Sequence, residues 1–253
     1  MSKNRENKNK SFFIARAKEL RCLHDCLNKL FPGHNYRLDP LISAAKELEE
    51  KANGETTLDE WGYTINDLTL PVGEIRNTEP SGMRFRVNLG CKCKAKVADY
   101  EKKCDPFIDY SFYLYVIGDF DDKSYTWGMH MEKDKSIESS EWHPLYHIHC
   151  FDGRKEMRHA LYDAEQRRGM PYLNVPRLAL YPLDLVLGIG FCLMNFHDKS
   201  IFEKLYKDNK VFPRLYMSSQ KRILEPYYNA ITNTGGVAGT GWAGRKELCP
   251  QIV

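Results

Sequence analysis

Ile108–Ile117, IDYSFYLYVI, decides the fold class. It is mostly aromatic or β-branched, contains no glycine or proline, and alternates in the manner of a strand. On either side lie shorter runs of the same kind, broken by turn residues. The pattern predicts strands over 67–75, 83–96, 107–120, 124–131 and 145–151. The short gaps between them favour an antiparallel meander, since parallel pairing needs long crossovers.

Upstream and downstream of this block the periodicity changes. Phe13, Ala17, Leu20, Leu23, Leu27 and Leu30 recur at three- and four-residue steps, which predicts a helix from Ser11 to Phe31 ended by Pro32-Gly33. A second helix is expected from Pro40 to Ala52, stopped at Asn53-Gly54. After Gly153 helices return over 154–168, 183–196, 200–209 and 214–229, with a proline-broken extended stretch over 171–182. The expected fold is therefore α+β: a curved, five-stranded antiparallel sheet flanked by N-terminal and C-terminal helices. Residues 11–230 form one domain, helical over 11–60, sheet over 61–152 and helical over 153–230. Residues 1–10 are expected to be a disordered basic tail and 231–253 a flexible Gly-rich one.

Of 253 residues, 37 are Lys or Arg and 34 Asp or Glu, a formal charge of +3. The distribution says more than the sum. Residues 11–152 hold 18 basic and 24 acidic side chains, and residues 153–253 hold 15 and 9. This excludes a uniformly basic DNA-coating protein and leaves room for a local anion-binding face. The most apolar run, Leu185–Met194, is about half of what a membrane span needs, so no membrane association is expected. The N-terminus has no apolar secretory stretch, and the eight cysteines read as reduced thiols, so the expected compartment is the cytoplasm.

The chemistry concentrates in His143-Pro144-Leu145-Tyr146-His147-Ile148-His149. On a strand, His147 and His149 share a face about 7 Å apart. Two such imidazoles suit a divalent metal such as zinc or manganese. A third ligand is available from His130, Glu132, Asp119 or Asp152, with His130 the leading choice. The same cluster suits metal-free acid–base catalysis at a phosphodiester, with His143 and Asp152 assisting. It is equally compatible with hydrogen-bonded structural histidines. Arg154, Arg158 and Arg177 follow and are candidate phosphate ligands, because arginine binds phosphate bidentately.

These residues resemble uncharacterised bacterial protein families with one layout: a strand bearing H-P-x-x-H-x-H, a basic and proline-rich segment, then an apolar helix ending Asn-Phe. Here the elements are His143-Pro144…His147-x-His149, Val175-Pro176-Arg177…Tyr181-Pro182 and Leu183…Asn195-Phe196, about 55 residues in all. The resemblance implies a toxin–antitoxin or phage-defence setting.

Other motifs are weaker. Gly239–Gly244 matches G-x-G-x-x-G but follows no apolar strand. Cys91-x-Cys93 with Cys104 offers three zinc ligands; its alternation with Lys92, Lys94 and Lys96 also describes a strand with one small apolar face, or a blunted sheet edge. Asp119, Asp121 and Asp122 resemble a cation loop. The functional expectation is a hydrolase acting on a phosphate-containing substrate, nuclease-like, through His143, His147, His149 and Asp152. The alternative is a non-enzymatic adaptor that docks on an operon-encoded protein through its basic C-terminal half.

Overall fold

The computed structural model describes residues 3–32, 36–54, 58–72, 84–102, 104–120, 123–134, 144–150, 178–232, 242–243 and 245–249. Two helices, α1 (Lys3–Leu30) and α2 (Asp39–Gly54), precede the sheet strands β1 (Glu60–Val72) and β2 (Arg84–Lys96). A short α3 (Val97–Glu101) leads to β3 (Phe107–Phe120), β4 (Lys123–Lys133) and β5 (Tyr146–Cys150). A two-residue β6 (Leu178–Ala179) precedes α4 (Leu185–Phe196), α5 (Lys199–Asp208) and α6 (Phe212–Ser219). One π-helical turn, Gln220–Leu224, joins α6 to α7 (Glu225–Thr232), and α8 (Arg245–Leu248) follows.

The sheet is an open antiparallel meander in the order β1-β2-β3-β4-β5-β6. The expected α+β class and five antiparallel strands are present, and β6 adds only a two-residue margin beyond β5. The sheet's helix-facing side carries Cys91, Phe112 and Met131 as cross-strand neighbours, all buried. Helix α4 seats on it because Gly188 leaves room for the Phe112 ring; a β-carbon there would collide with that ring. Asp184 caps α4 by accepting from the Leu187 amide at 2.9 Å, and accepts a second bond from the Ser219 hydroxyl at 2.5 Å. Tyr110 ties the same junction, donating to the Leu183 carbonyl and accepting from its amide.

Three boundaries differ from the expected ones. Helix α1 starts at Lys3, not Ser11, and Asn9 is buried with its amide donating to Asp59 at 3.1 Å, so the residues expected as a free tail are largely helix. Strand β1 begins at Glu60 instead of Asp67. Its inward residues are Trp61, Tyr63 and Ile65 before the bulge and Leu68 and Leu70 after it. Asp67, at φ 53°, sits in the bulge that reverses the alternation, so a single parity never spans the strand. Among the described residues of the expected flexible tail, some are packed: Trp242 is buried against Tyr146 and Tyr227, and the Leu145 amide donates to the Glu247 carbonyl at 2.8 Å.

Strand β2 lies between β1 and β3, so Lys92, Lys94 and Lys96 do not blunt an edge; they project from the middle of the sheet. One edge of the sheet is β1, where Pro71 is tolerated. Cys91 and Cys93 serve as small core residues beside Tyr63, and the bond with Cys93, together with burial, pushes the Cys91 thiol up. Among the described residues no helix is long and apolar enough to cross a membrane.

Candidate metal centre

Alternation puts the helices on one side of the sheet and the histidines on the other. In β4, Met129 and Met131 point to the core while His130 and Glu132 point away; in β5, His147 and His149 share that outward side. The β4–β5 register then makes His130 the cross-strand partner of His149, and Glu132 the partner of His147. Four chemistry-bearing side chains meet because two strands, each with one x-y-x pair, align without slip.

Within this group Glu132, His147 and His149 each present one ligand atom within 4.8 Å of the other two. Glu132 Oε1 is 3.4 Å from His147 Nε2 and 3.6 Å from His149 Nε2. The two histidine rings are 4.7 Å apart and nearly perpendicular. His130 lies alongside, its ring 6.4 Å from His149 and close to parallel. The carboxylate, then, completes the converging trio, and His130 stands next to it. His147 is almost fully enclosed, with 1% of its side chain exposed, whereas Glu132 leaves 43% to solvent. The trio is closed at the back and open at the front.

The electrostatics are specific. His147 Nδ1 is 3.0 Å from the Pro144 carbonyl, which can only accept, so Nδ1 carries the hydrogen. The remaining nitrogen, Nε2, faces a carboxylate oxygen. His147 and then His149 hold the Glu132 carboxyl well below the usual range, against the opposing effect of burial. A bare imidazole nitrogen and a carboxylate oxygen would repel, so a positive charge belongs between them: a proton or a cation. Charge-assisted N–H···O bonds are about 2.7–2.9 Å long. The observed separations are longer. Bonds of about 2.0–2.2 Å to a tetrahedral ion place neighbouring ligand atoms roughly 3.3–3.6 Å apart. The two separations are thus compatible with a shared cation as well as with a shared proton. The Nδ1–H to carbonyl bond is also what orients metal-binding histidines elsewhere in proteins.

A hollow of about 440 Å³ opens beside Glu132 and His130, lined also by Lys92, Asp109, Ser111 and Lys133. Lys133 is tied to Asp105 at 2.8 Å and to the Phe107 carbonyl at 2.6 Å, and Tyr146 donates to the same Asp105 at 2.5 Å. This network pins the start of β5 from the inner side.

Of the sequence-derived candidates, His147, His149 and His130 come together on the outward face. His143, Asp152, Arg154, Arg158 and Arg177 lie outside the described residues, as do Asp121 and Asp122 of the acidic turn. Cys91, Cys93 and Cys104 do not gather as a metal-binding group among the described residues. Glu132, one of several available carboxylates in the sequence, is singled out only by the β4–β5 register. Ser111 and Lys92, opposite Glu132 and Ser111 respectively, went unnoticed as site residues because nothing in their spacing marks them. No family model, curated protein or solved structure matches the chain.

Proposed function

We propose that this protein is a metal-assisted hydrolase acting on a phosphate-containing substrate, with Glu132, His147 and His149 holding one divalent ion. The observation that carries the reading is the pair of separations, 3.4 and 3.6 Å, between one carboxylate oxygen and two imidazole nitrogens. Two histidines and a glutamate match the donor set of catalytic zinc sites, which keep a position open for water or substrate. Manganese is the alternative ion; the tetrahedral separations favour zinc. A bound ion there supplies Lewis-acid polarisation and a nucleophilic water near neutral pH.

The protein's own groups divide the remaining work. Pro144 fixes the His147 tautomer through its carbonyl. His130, buried beside His149, is placed to exchange a proton with a leaving group at the open side. The hollow next to Glu132 supplies room for the phosphoryl group, with the Ser111 hydroxyl and the Lys92 ammonium on its wall. A toxin–antitoxin or phage-defence setting is the biological context we attach to this reading.

The test is elemental analysis of purified protein together with hydrolysis of a chromogenic phosphodiester before and after chelation. The expected result is about one zinc or manganese per chain, activity lost on chelation and restored by the ion. A chelated protein that still turns over the ester, or a chain that retains neither ion, overturns the proposal.

A further inference from the structure

We infer that the first half of β1 is a docking edge for a second copy of this chain. The two β1 strands pair antiparallel about a twofold axis at Gly62, and Glu47 of each α2 comes opposite Lys51 of the partner subunit. Strand β1 lies four strands from β5, so this interface stands apart from the hydrolase reading.

An antiparallel strand turns the backbone groups of alternate residues first toward one neighbour and then toward the other. The Val97 amide donates to the Asp59 carbonyl at 2.9 Å, so that pair is bonded across β1 and β2. Trp61 with Ala95, Tyr63 with Cys93 and Ile65 with Cys91 follow in the same phase. Glu60, Gly62 and Thr64 therefore turn their amides and carbonyls away from β2. The bulge at Asp67 shifts the phase, and beyond it Thr69 faces the edge, exchanging bonds of 3.1 and 3.2 Å with Arg37. Pro71 shares the phase of Thr69, where its missing N–H costs no bond to β2.

The two halves of the edge are thus treated differently. A bulge, the Arg37 bridge and a proline close the second half. Edges are commonly blunted by lysine, proline or a bulge, and the first half, Glu60–Asn66, has none of these. Among the described residues nothing bonds to the edge-facing backbone of Glu60, Gly62 and Thr64.

This edge complements itself. An axis at Gly62 sets Gly62 against its own copy and Glu60 against Thr64 of the partner subunit. Every edge-facing residue then meets another, and no like charges oppose each other. Glu60 is already met on its own side by Lys94 at 2.6 Å, and Gly62 has no side chain to hold a partner strand away. A hollow of about 560 Å³ opens beside Gly62, with Glu47 and Lys51 of α2 on its wall. Both side chains are exposed, and neither forms an ion pair among the described residues. They lie one helical turn apart, roughly 6 Å. A twofold axis reverses their order, so each carboxylate comes opposite an ammonium; a parallel partner would set Glu47 against Glu47. Complementary charges of this kind fix the register of an interface. The axis is normal to the sheet, so the candidate metal centres of both copies share one face.

The test is sedimentation velocity of the full chain, chelated, over a wide range of protein concentration. The expected species has twice the chain mass of 29.5 kDa. Thr64→Pro removes an edge-facing amide that makes no bond to β2, and should weaken the dimer about a hundredfold while the melting temperature holds. Glu47→Lys should weaken it about tenfold, and Glu47→Lys combined with Lys51→Glu should restore it. Glu60→Cys combined with Thr64→Cys should cross-link the copies on mild oxidation, because a bonded pair holds its α-carbons about 5.5 Å apart. Neither single variant should do so. Should Thr64→Pro melt early, the charge swap and the cross-link carry the test. A chain that stays monomeric at every concentration overturns the inference and leaves the edge to a strand of another protein. A dimer indifferent to Glu47→Lys and to a folded Thr64→Pro, or one that the paired cysteines fail to cross-link, overturns it by placing the interface elsewhere.

Discussion

The two faces of one sheet carry different chemistry one residue apart. On β3, Phe112 points into the helices and Ser111 points away; on β4, Met131 and Glu132 divide in the same way. The inner row is apolar, fully buried and covered by α4. The outer row is ionisable, graded in burial and faces a hollow. Because the strand period is two, a single substitution can touch one row and leave the other intact. That separability is what would let a rigid sheet hold the proposed metal centre: the inner row supplies the stability against which the outer row can gather like-polarity groups.

The largest expected effect is on the outer row. His147→Ala with His149→Ala removes two of the three proposed ligands and is expected to abolish metal binding and turnover, while the thermal midpoint changes by only a few degrees. Elemental analysis, a phosphodiesterase assay and a melting curve check it. If the double variant unfolds instead, the histidines belong to the stability row and the distinction between faces collapses. Next is Phe112→Ala on the inner row, expected to cost about 3–5 kcal/mol in urea unfolding because the ring fills the space left by Gly188. Metal affinity in the folded fraction should stay the same.

Tyr146→Phe sharpens the boundary between the faces, because Tyr146 lies in β5 between the two rows' elements. It removes one bond to the buried Asp105, which keeps Lys133, and should cost about 1–2 kcal/mol. An accompanying large loss of metal affinity would show that the inner network positions His147. The smallest effect concerns His197, which follows α4 and meets the Pro71 carbonyl of β1 at 2.8 Å. Burial lowers its pKa from 6.5, so the folded protein resists protonation that the unfolded chain accepts. Its contribution is full above about pH 6.5 and declines as pH falls below that value. His197→Gln should flatten the fall in stability between pH 7 and 5, measured by urea midpoints. An unchanged slope excludes His197 as its source.

The meander was legible because strands such as Phe107–Phe120 alternate cleanly and lie close together in sequence. β1 was cut short because the bulge at Asp67 swaps its parity, turning one long strand into two unrelated half-patterns. The basic start of α1 gave no apolar repeat to extend the helix, although Asn9 reaches Asp59 in the fold. Lys92, Lys94 and Lys96 suggested an edge because alternating lysines are common there; only pairing with both β1 and β3 places them in the interior of the sheet.

His147 and His149 were expected on one face from spacing alone, since a two-residue step on a strand always returns to the same side. Their partner was not. Glu132 lies fifteen residues before His147, and the register of β4 on β5 brings it opposite. A slip of one residue would have sent it to the core and offered Met131 in its place. The sequence alone determined the class of fold and one pair of imidazoles, because both depend on local periodicity. Which carboxylate joins them was decided by the tertiary structure, because that depends on pairing between strands distant in the chain.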